Sequence, residues 1–244
     1  EGCAEGGCGA CTVILVELKK NKLVYNSINA CIAFVPSLHG KQLIVVEDLL
    51  NENGDLHPVQ EALVKYHGSQ CGFCTPGFVM SLFSMYKNHK FYSDELIKES
   101  IAGNLCRCTG YKPIINAAKS LNKKNKQDQF SKYQKNTIKN LKKINLKNIS
   151  INNKGKKYFS PSTIKELKKI IQKNPGANFI SGGTDLSLIV TKERKDINNI
   201  INLKEINELD FIKINKNNIE VGSTTPLIKF EKFIIKYYPD FNSV

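Results

Sequence analysis

The chain has 244 residues, 36 Lys and Arg against 22 Asp and Glu, and a formal charge of +14; that length allows two or three small domains with cores of their own, and no run of about 18 apolar residues is present to cross a membrane. Residues 119–157 hold 13 Lys against one acid, Asp128, so +12 sits on that stretch and about +2 is left for the rest, while Arg107 and Arg194 are the only arginines. Phosphate readout favours Arg with interleaved aromatics, so the Lys/Asn/Ile drift is read as compositional and nucleic acid is set aside as a partner.

Position 1 is Glu, and Gly2-Cys3 already lies inside a motif, so the N-terminus reads as missing rather than processed and no secretion signal is seen. Cys3, Cys8 and Cys11 follow the pattern C-x4-C-x2-C, with Cys31 after 19 more residues, the spacing of a plant-type ferredoxin. Three thiolates in nine residues require a tightly curled backbone with N–H groups close to sulfur. Gly2, Gly6, Gly7 and Gly9 supply that freedom. Residues 12–18 and 22–28 then predict a β-hairpin turning at Lys20-Asn21, and 42–47 a further strand.

A second set of thiols follows. Cys71 and Cys74 form C-x2-C, Cys106 and Cys108 form C-x-C, and the 31 residues between the two pairs predict two amphipathic helices. Pro76 suits a first helical turn, and Val79, Leu82, Phe83 and Tyr86 recur at helical spacing. Ser93 is a candidate N-cap for a helix carrying Leu96, Ile97 and Ile101 and running out at Gly103. Pro113 opens another through Ile114, Ala117, Ala118 and Leu121, and Pro58 precedes one over 59–66. Four short helices thus pack around one site, with each Cys pair at a helix end where free N–H groups face anionic sulfur. The Lys/Asn-rich stretch that follows is expected to be an extended, solvated connector. His39, His57, His67 and His89 are isolated in sequence and read as surface or structural residues.

Tyr158-Phe159-Ser160-Pro161 reopens a folded unit. Ser162 or Thr163 caps a helix with Ile164, Leu167, Ile170 and Ile171 on one face, and Pro175-Gly176 stops it. Residues 178–180 form a short strand leading into Ser181-Gly182-Gly183-Thr184-Asp185-Leu186 and a helix through Ile189. Strand, Gly-Gly turn and helix start make a nest of donors suited to a pyrophosphate, although such a turn is more often only a turn. Residues 211–214 and 219–222 read as a second hairpin, after which Thr224-Thr225-Pro226-Leu227 opens a helix.

Eight Cys admit three readings: four disulfides as in a secreted scaffold, two tetrahedral zinc sites, or two iron–sulfur centres. The helical content, the lack of a secretion signal and the glycines between the first ligands favour iron–sulfur. A zinc-stapled, non-enzymatic interaction module and a stand-alone iron–sulfur flavin reductase are the alternatives from other classes.

Residues 1–13, 70–81 and 103–113 resemble the two [2Fe-2S] domains of the xanthine dehydrogenase and aldehyde oxidase family of molybdenum hydroxylases. The resemblance implies an α+β multidomain chain. Residues 1–52 would be a partial β-grasp, plant-type ferredoxin domain, 53–122 a four-helix [2Fe-2S]-binding domain, 123–157 the linker, and 158–244 the N-terminal part of an α+β FAD-binding domain. It implies that Cys3, Cys8, Cys11 and Cys31 hold one [2Fe-2S] cluster, that Cys71, Cys74, Cys106 and Cys108 hold another, and that Gln70 and Cys108 touch molybdopterin on a partner. Phe179, Ile180, Ser181, Gly182, Gly183, Thr184, Asp185 and Leu186 would form the FAD pyrophosphate loop, and the chain stops at Val244 before the segment that would complete the flavin site. The expected role is cytoplasmic electron transfer from a molybdopterin-binding large subunit to NAD or another acceptor. No acid, base or nucleophile is needed in this chain.

Overall fold

A computed structural model describes residues 1–123 and 127–243. The chain divides into two compact units, residues 1–145 with 191–193, and residues 146–190 with 194–244.

In the first unit, β1 (Thr12–Lys19) and β2 (Lys22–Asn29) form the expected antiparallel hairpin. Lys20 and Asn21 both adopt positive φ, 48° and 63°, which matches the strand twist as a two-residue type I′ turn does. β3 (Gln42–Ile44) pairs with the other edge of β1, giving the order β2-β1-β3. This strand is shorter than the expected 42–47. The Asp48 carboxylate accepts the Val45 N–H at 2.8 Å and draws the chain into a 3-10 turn over Val46–Leu49.

Helices α1 (Pro58–Lys65), α2 (Thr75–Asn88), α3 (Asp94–Ile101) and α4 (Lys112–Ser120) follow. Ser93 caps α3 by accepting the Leu96 N–H, and α2 buries Phe78, Val79, Met80, Leu82 and Phe83. These side chains join Ile14, Val16 and Ile44 of the sheet in one continuous core, so the hairpin buries its apolar face against α2 rather than against a layer of its own.

The stretch expected to run as extended connector carries α5 (Gln129–Lys132), α6 (Gln134–Lys143) and β4 (Ile149–Asn153). Leu141 is buried, Phe130 packs edge-on to Phe83 with ring centroids 5.1 Å apart, and the Asp128 side chain is 2% exposed. Asp128 caps α5 and accepts from Lys87 Nζ at 2.8 Å and from His57 Nε2 at 3.2 Å. His57 is therefore not isolated. Its Nδ1 accepts the Val59 N–H as the cap of α1, which leaves Nε2 to carry the hydrogen donated to Asp128.

In the second unit, β4 pairs with β5 (Lys156–Ser160), and α7 (Ile164–Lys173) is capped by Thr163. β6 (Asn178–Ile180), α8 (Leu186–Thr191) and β7 (Asn199–Asn202) complete a four-stranded sheet of order β4-β5-β7-β6, in which β7 lies parallel to both its neighbours. β8 (Ile212–Ile214) and β9 (Ile219–Val221) form the second hairpin, and α9 (Leu227–Ile234) starts after Pro226. Among the described residues no helix is long and apolar enough to cross a membrane.

Candidate functional site

The loop before β1 brings the first four thiols together. Ala4, Gly6 and Gly9 take positive φ of 55°, 79° and 71°, curling the chain so that N–H groups turn towards sulfur. The Cys8 N–H donates to Cys3 Sγ at 3.3 Å, and the Cys31 N–H donates to Cys11 Sγ at 3.4 Å. Asn29 Nδ2 ties the loop to the hairpin through the Gly6 carbonyl at 2.7 Å. Backbone donors thus link Cys8 to Cys3 and Cys31 to Cys11. Burial works to raise the Cys3 thiol, but hydrogen bonds from the Glu5 backbone and from Cys8 outweigh it and bring the group down to about 7. At Cys31 burial, and then the bond shared with Cys11, push the thiol up to about 11.

The second set lies at helix ends. Cys74 precedes α2, and Cys106 and Cys108 occupy the loop between α3 and α4. Cys106 acts on the Cys74 thiol and Cys71 on the Cys108 thiol, so the loop before α2 and the loop after α3 come together. Burial and then Cys106 push Cys74 up to about 11, and the bond to Cys71 raises Cys108. Burial also opposes the Cys106 thiolate, yet Thr109 holds this group below the ordinary thiol value, with its Oγ1 3.1 Å and its N–H 3.5 Å from Cys106 Sγ. Tyr111 sits in the left-handed region at φ 66°, an uncommon place for a bulky residue. Its hydroxyl there accepts the Cys106 N–H at 3.0 Å.

All eight thiols are free, and among the described residues no group of three or more His, Cys, Asp or Glu closes on a single ion. The curled, positive-φ C-x4-C-x2-C loop with backbone N–H groups on sulfur fits an iron–sulfur centre better than a tetrahedral zinc site. The donor sets thus fit [2Fe-2S] clusters. Gln70, Cys71 and Cys108 are all exposed, so the Cys71–Cys108 pair is the outward face of this set.

In the second unit, Phe179, Ile180, Ser181, Gly183, Thr184, Asp185, Leu186 and Ile189 line a cleft of about 380 Å³. Gly183 has φ 80° and needs to be glycine on backbone grounds. Gly182 does not: its φ is ordinary and a Cβ there would meet nothing within 4 Å, so neither backbone nor packing accounts for the missing side chain. Among the described residues none accepts a hydrogen bond from the backbone N–H groups of 182–185. Open space beside unused donors fits the close approach of an anion such as a pyrophosphate.

The sequence left three features of the site unread. Asn104, 3% exposed, bridges the two thiol loops; Thr109 and Tyr111 support Cys106. A buried Asn two residues before a Cys is visible as a letter, but its partner Gly9 lies 95 residues away.

Comparison with known proteins separates the two halves in the same way. Residues 45–119 match the family described as a [2Fe-2S] binding domain, and residues 148–244 match the FAD binding domain in molybdopterin dehydrogenase. Xanthine dehydrogenase 1 of Arabidopsis thaliana is 31% identical over 297 residues, which takes in 98% of this chain and 22% of that protein. Xanthine dehydrogenase/oxidase of Felis catus is 52% identical over 116 residues, 47% of this chain and 9% of the relative. Aldehyde oxidase 1 of Oryctolagus cuniculus is 43% identical over 136 residues, 53% of this chain and 10% of the relative. The chain therefore spans about a fifth or less of the length of these relatives. With a [2Fe-2S]-binding and an FAD-binding domain matched in this order, the chain belongs to the xanthine dehydrogenase and aldehyde oxidase family of molybdenum hydroxylases.

Proposed function

We propose that this chain is the electron-transfer portion of a xanthine dehydrogenase-type molybdenum hydroxylase, of the kind carried by the small subunit of a bacterial-type enzyme. Its partners are a molybdopterin-binding large subunit, where the substrate is hydroxylated, and NAD or another final acceptor. Two [2Fe-2S] clusters and FAD, when bound, supply the redox chemistry that joins those two ends. The chain's own residues hold and shield them. We assign Cys3, Cys8, Cys11 and Cys31 to one cluster and Cys71, Cys74, Cys106 and Cys108 to the other, both within the first unit, and the flavin segment to residues 148–244. Gln70 and Cys108, exposed at the outer face of the second set, are assigned to molybdopterin contact. The turn from Phe179 through Ser181, Gly182, Gly183, Thr184 and Asp185 to Leu186 is assigned to the FAD pyrophosphate. Eight free thiols suit a reducing compartment, and we place the protein in the cytoplasm.

The carrying observation is the pair of four-thiol sets: Cys3, Cys8, Cys11 and Cys31 with backbone N–H groups on sulfur, and Cys71, Cys74, Cys106 and Cys108 inside the residues similar to a [2Fe-2S] binding domain. Anaerobic reconstitution with iron and sulfide tests it. The expected product holds four irons and four acid-labile sulfides per chain and gives two distinct paramagnetic signals on reduction, counts that follow from two four-cysteine sites at about two irons each. Cys74→Ser should remove one signal and leave the other. Loss of both signals together, or zinc taken up in place of iron, would overturn the assignment.

A further inference from the structure

Asn104 uses both ends of its buried amide. Its Nδ2 donates to the Gly9 carbonyl at 3.0 Å and to Thr12 Oγ1 at 3.2 Å, while its Oδ1 accepts from Ser81 Oγ at 2.6 Å. The orientation is forced by chemistry, since a carbonyl such as that of Gly9 accepts and cannot donate. Thr12 Oγ1 donates to the same Gly9 carbonyl at 2.6 Å. One residue further on, the Leu105 N–H donates to the Cys8 carbonyl at 2.9 Å. Cys8 belongs to the first thiol set and Leu105 directly precedes Cys106 of the second. Among the described residues one backbone hydrogen bond therefore joins the ligand segments of the two sites, and Asn104, next to Leu105, holds Gly9, next to Cys8.

The surrounding backbone is shaped for this contact. A Cβ on Gly9 would stand 2.2 Å from the Gly103 carbonyl oxygen, and one on Gly77 would stand 2.1 Å from the Gly9 carbonyl oxygen. An apolar side chain of similar volume would fill the space without desolvating an amide. What the amide adds is direction.

We propose that Asn104 is a positioning residue for electron passage between the two iron–sulfur sites, holding the Cys8 carbonyl on the Leu105 amide and so fixing the separation and orientation of the two thiol sets. The inference rests on the two-cluster reading above. When bound, the group held by Cys71, Cys74, Cys106 and Cys108 would give up one electron and the group held by Cys3, Cys8, Cys11 and Cys31 would take it up; the part of Asn104 would be to fix the distance between them.

The test uses the full chain, reconstituted with iron and sulfide and reduced with dithionite, as wild type, Asn104→Leu, Thr12→Val and Ser93→Ala. The readouts are iron content, the magnetic splitting between the two reduced sites, and hydrogen exchange at the Leu105 amide. Asn104→Leu is expected to keep both signals but show a changed splitting and Leu105 exchange faster by about tenfold or more. Ser93→Ala, which weakens α3 without touching either loop, should leave the splitting as in the wild type. Wild-type splitting and exchange in Asn104→Leu would overturn the role of Asn104. A wild-type chain with two irons and one signal would instead overturn the two-cluster reading. If Asn104→Leu does not assemble, Thr12→Val decides: it removes only the hydroxyl between Asn104 and Gly9, and faster exchange supports the proposal while unchanged exchange overturns it.

Discussion

Two glycines that look alike in the sequence carry different burdens. Gly77 lies inside α2, where alanine would ordinarily stabilise a helix by about 1 kcal/mol. Its α-carbon faces the Gly9 carbonyl so closely that alanine must separate the loops, and overpacking of this kind costs about 1–3 kcal/mol. Gly103 has an ordinary φ and nothing within 4 Å of a Cβ. Denaturant unfolding should therefore show Gly77→Ala destabilised by about 1–3 kcal/mol and Gly103→Ala within about 0.5 kcal/mol of the wild type. Asp128 gives a second prediction at this scale. Burial opposes its charge, but the hydrogen bonds from His57 and Lys87 prevail and hold the carboxyl well below the usual carboxylate range. The unfolded chain then binds the proton more readily than the folded one. Stability from this group is fully present above the unfolded value of about 3.9 and is lost as pH falls through the depressed folded value. Unfolding midpoints at pH 3 and pH 6 should thus differ less in Asp128→Asn than in the wild type. An equal difference would show that Asp128 titrates alike in both states.

Elements were legible where a period coincided with a boundary signal. Ser93 with Leu96, Ile97 and Ile101 announced α3, and Pro58, Pro76 and Pro113 marked the first turns of α1, α2 and α4. The hairpin of β1 and β2 was legible from its alternation and from Asn21 at the turn. What escaped was held together by contacts distant in sequence. α5 and α6 are rich in Lys, Asn and Gln, with Phe130 packed on the core and the Asp128 cap holding α5; the single acid in the basic run was the available signal. β7 has four residues, and its strand character comes from lying between two parallel neighbours. The spacing of Cys71, Cys74, Cys106 and Cys108 is visible in the sequence, but that the loop before α2 meets the loop after α3 depends on how those helices turn the chain back. Capping supplies the prediction at this scale. Ser93 accepts the Leu96 N–H, so Ser93→Ala should cost about 1 kcal/mol. A denaturation curve superimposable on the wild type would mean that α3 is held by its buried Ile97 and Ile101 alone.

At the scale of the whole molecule, thiols and flavin turn make unequal demands on their surroundings. A cluster is held by covalent bonds to four sulfurs, so each thiol set is nearly sufficient in itself once its loop is curled. Flavin binding is non-covalent and must draw its affinity from burial. The cleft at residues 179–189 has a volume of about 380 Å³ and is lined by one short segment. Its donors are the backbone N–H groups of 182–185, and α8 behind them has only six residues. Donors at a helix start favour an anion by about 0.3–1 kcal/mol at an exposed site, whereas micromolar affinity requires about 8 kcal/mol. The described cleft offers little apolar wall against which an isoalloxazine or adenine ring could be buried. We therefore expect FAD to bind this 244-residue chain with a dissociation constant above about 10 µM, far weaker than a resident flavin needs. Fluorescence titration with FAD measures this directly, and Gly183→Asp, which sets a carboxylate and a strained backbone in the turn, should abolish the residual binding. Stoichiometric binding at submicromolar FAD, unaffected by Gly183→Asp, would place the flavin on residues other than this turn.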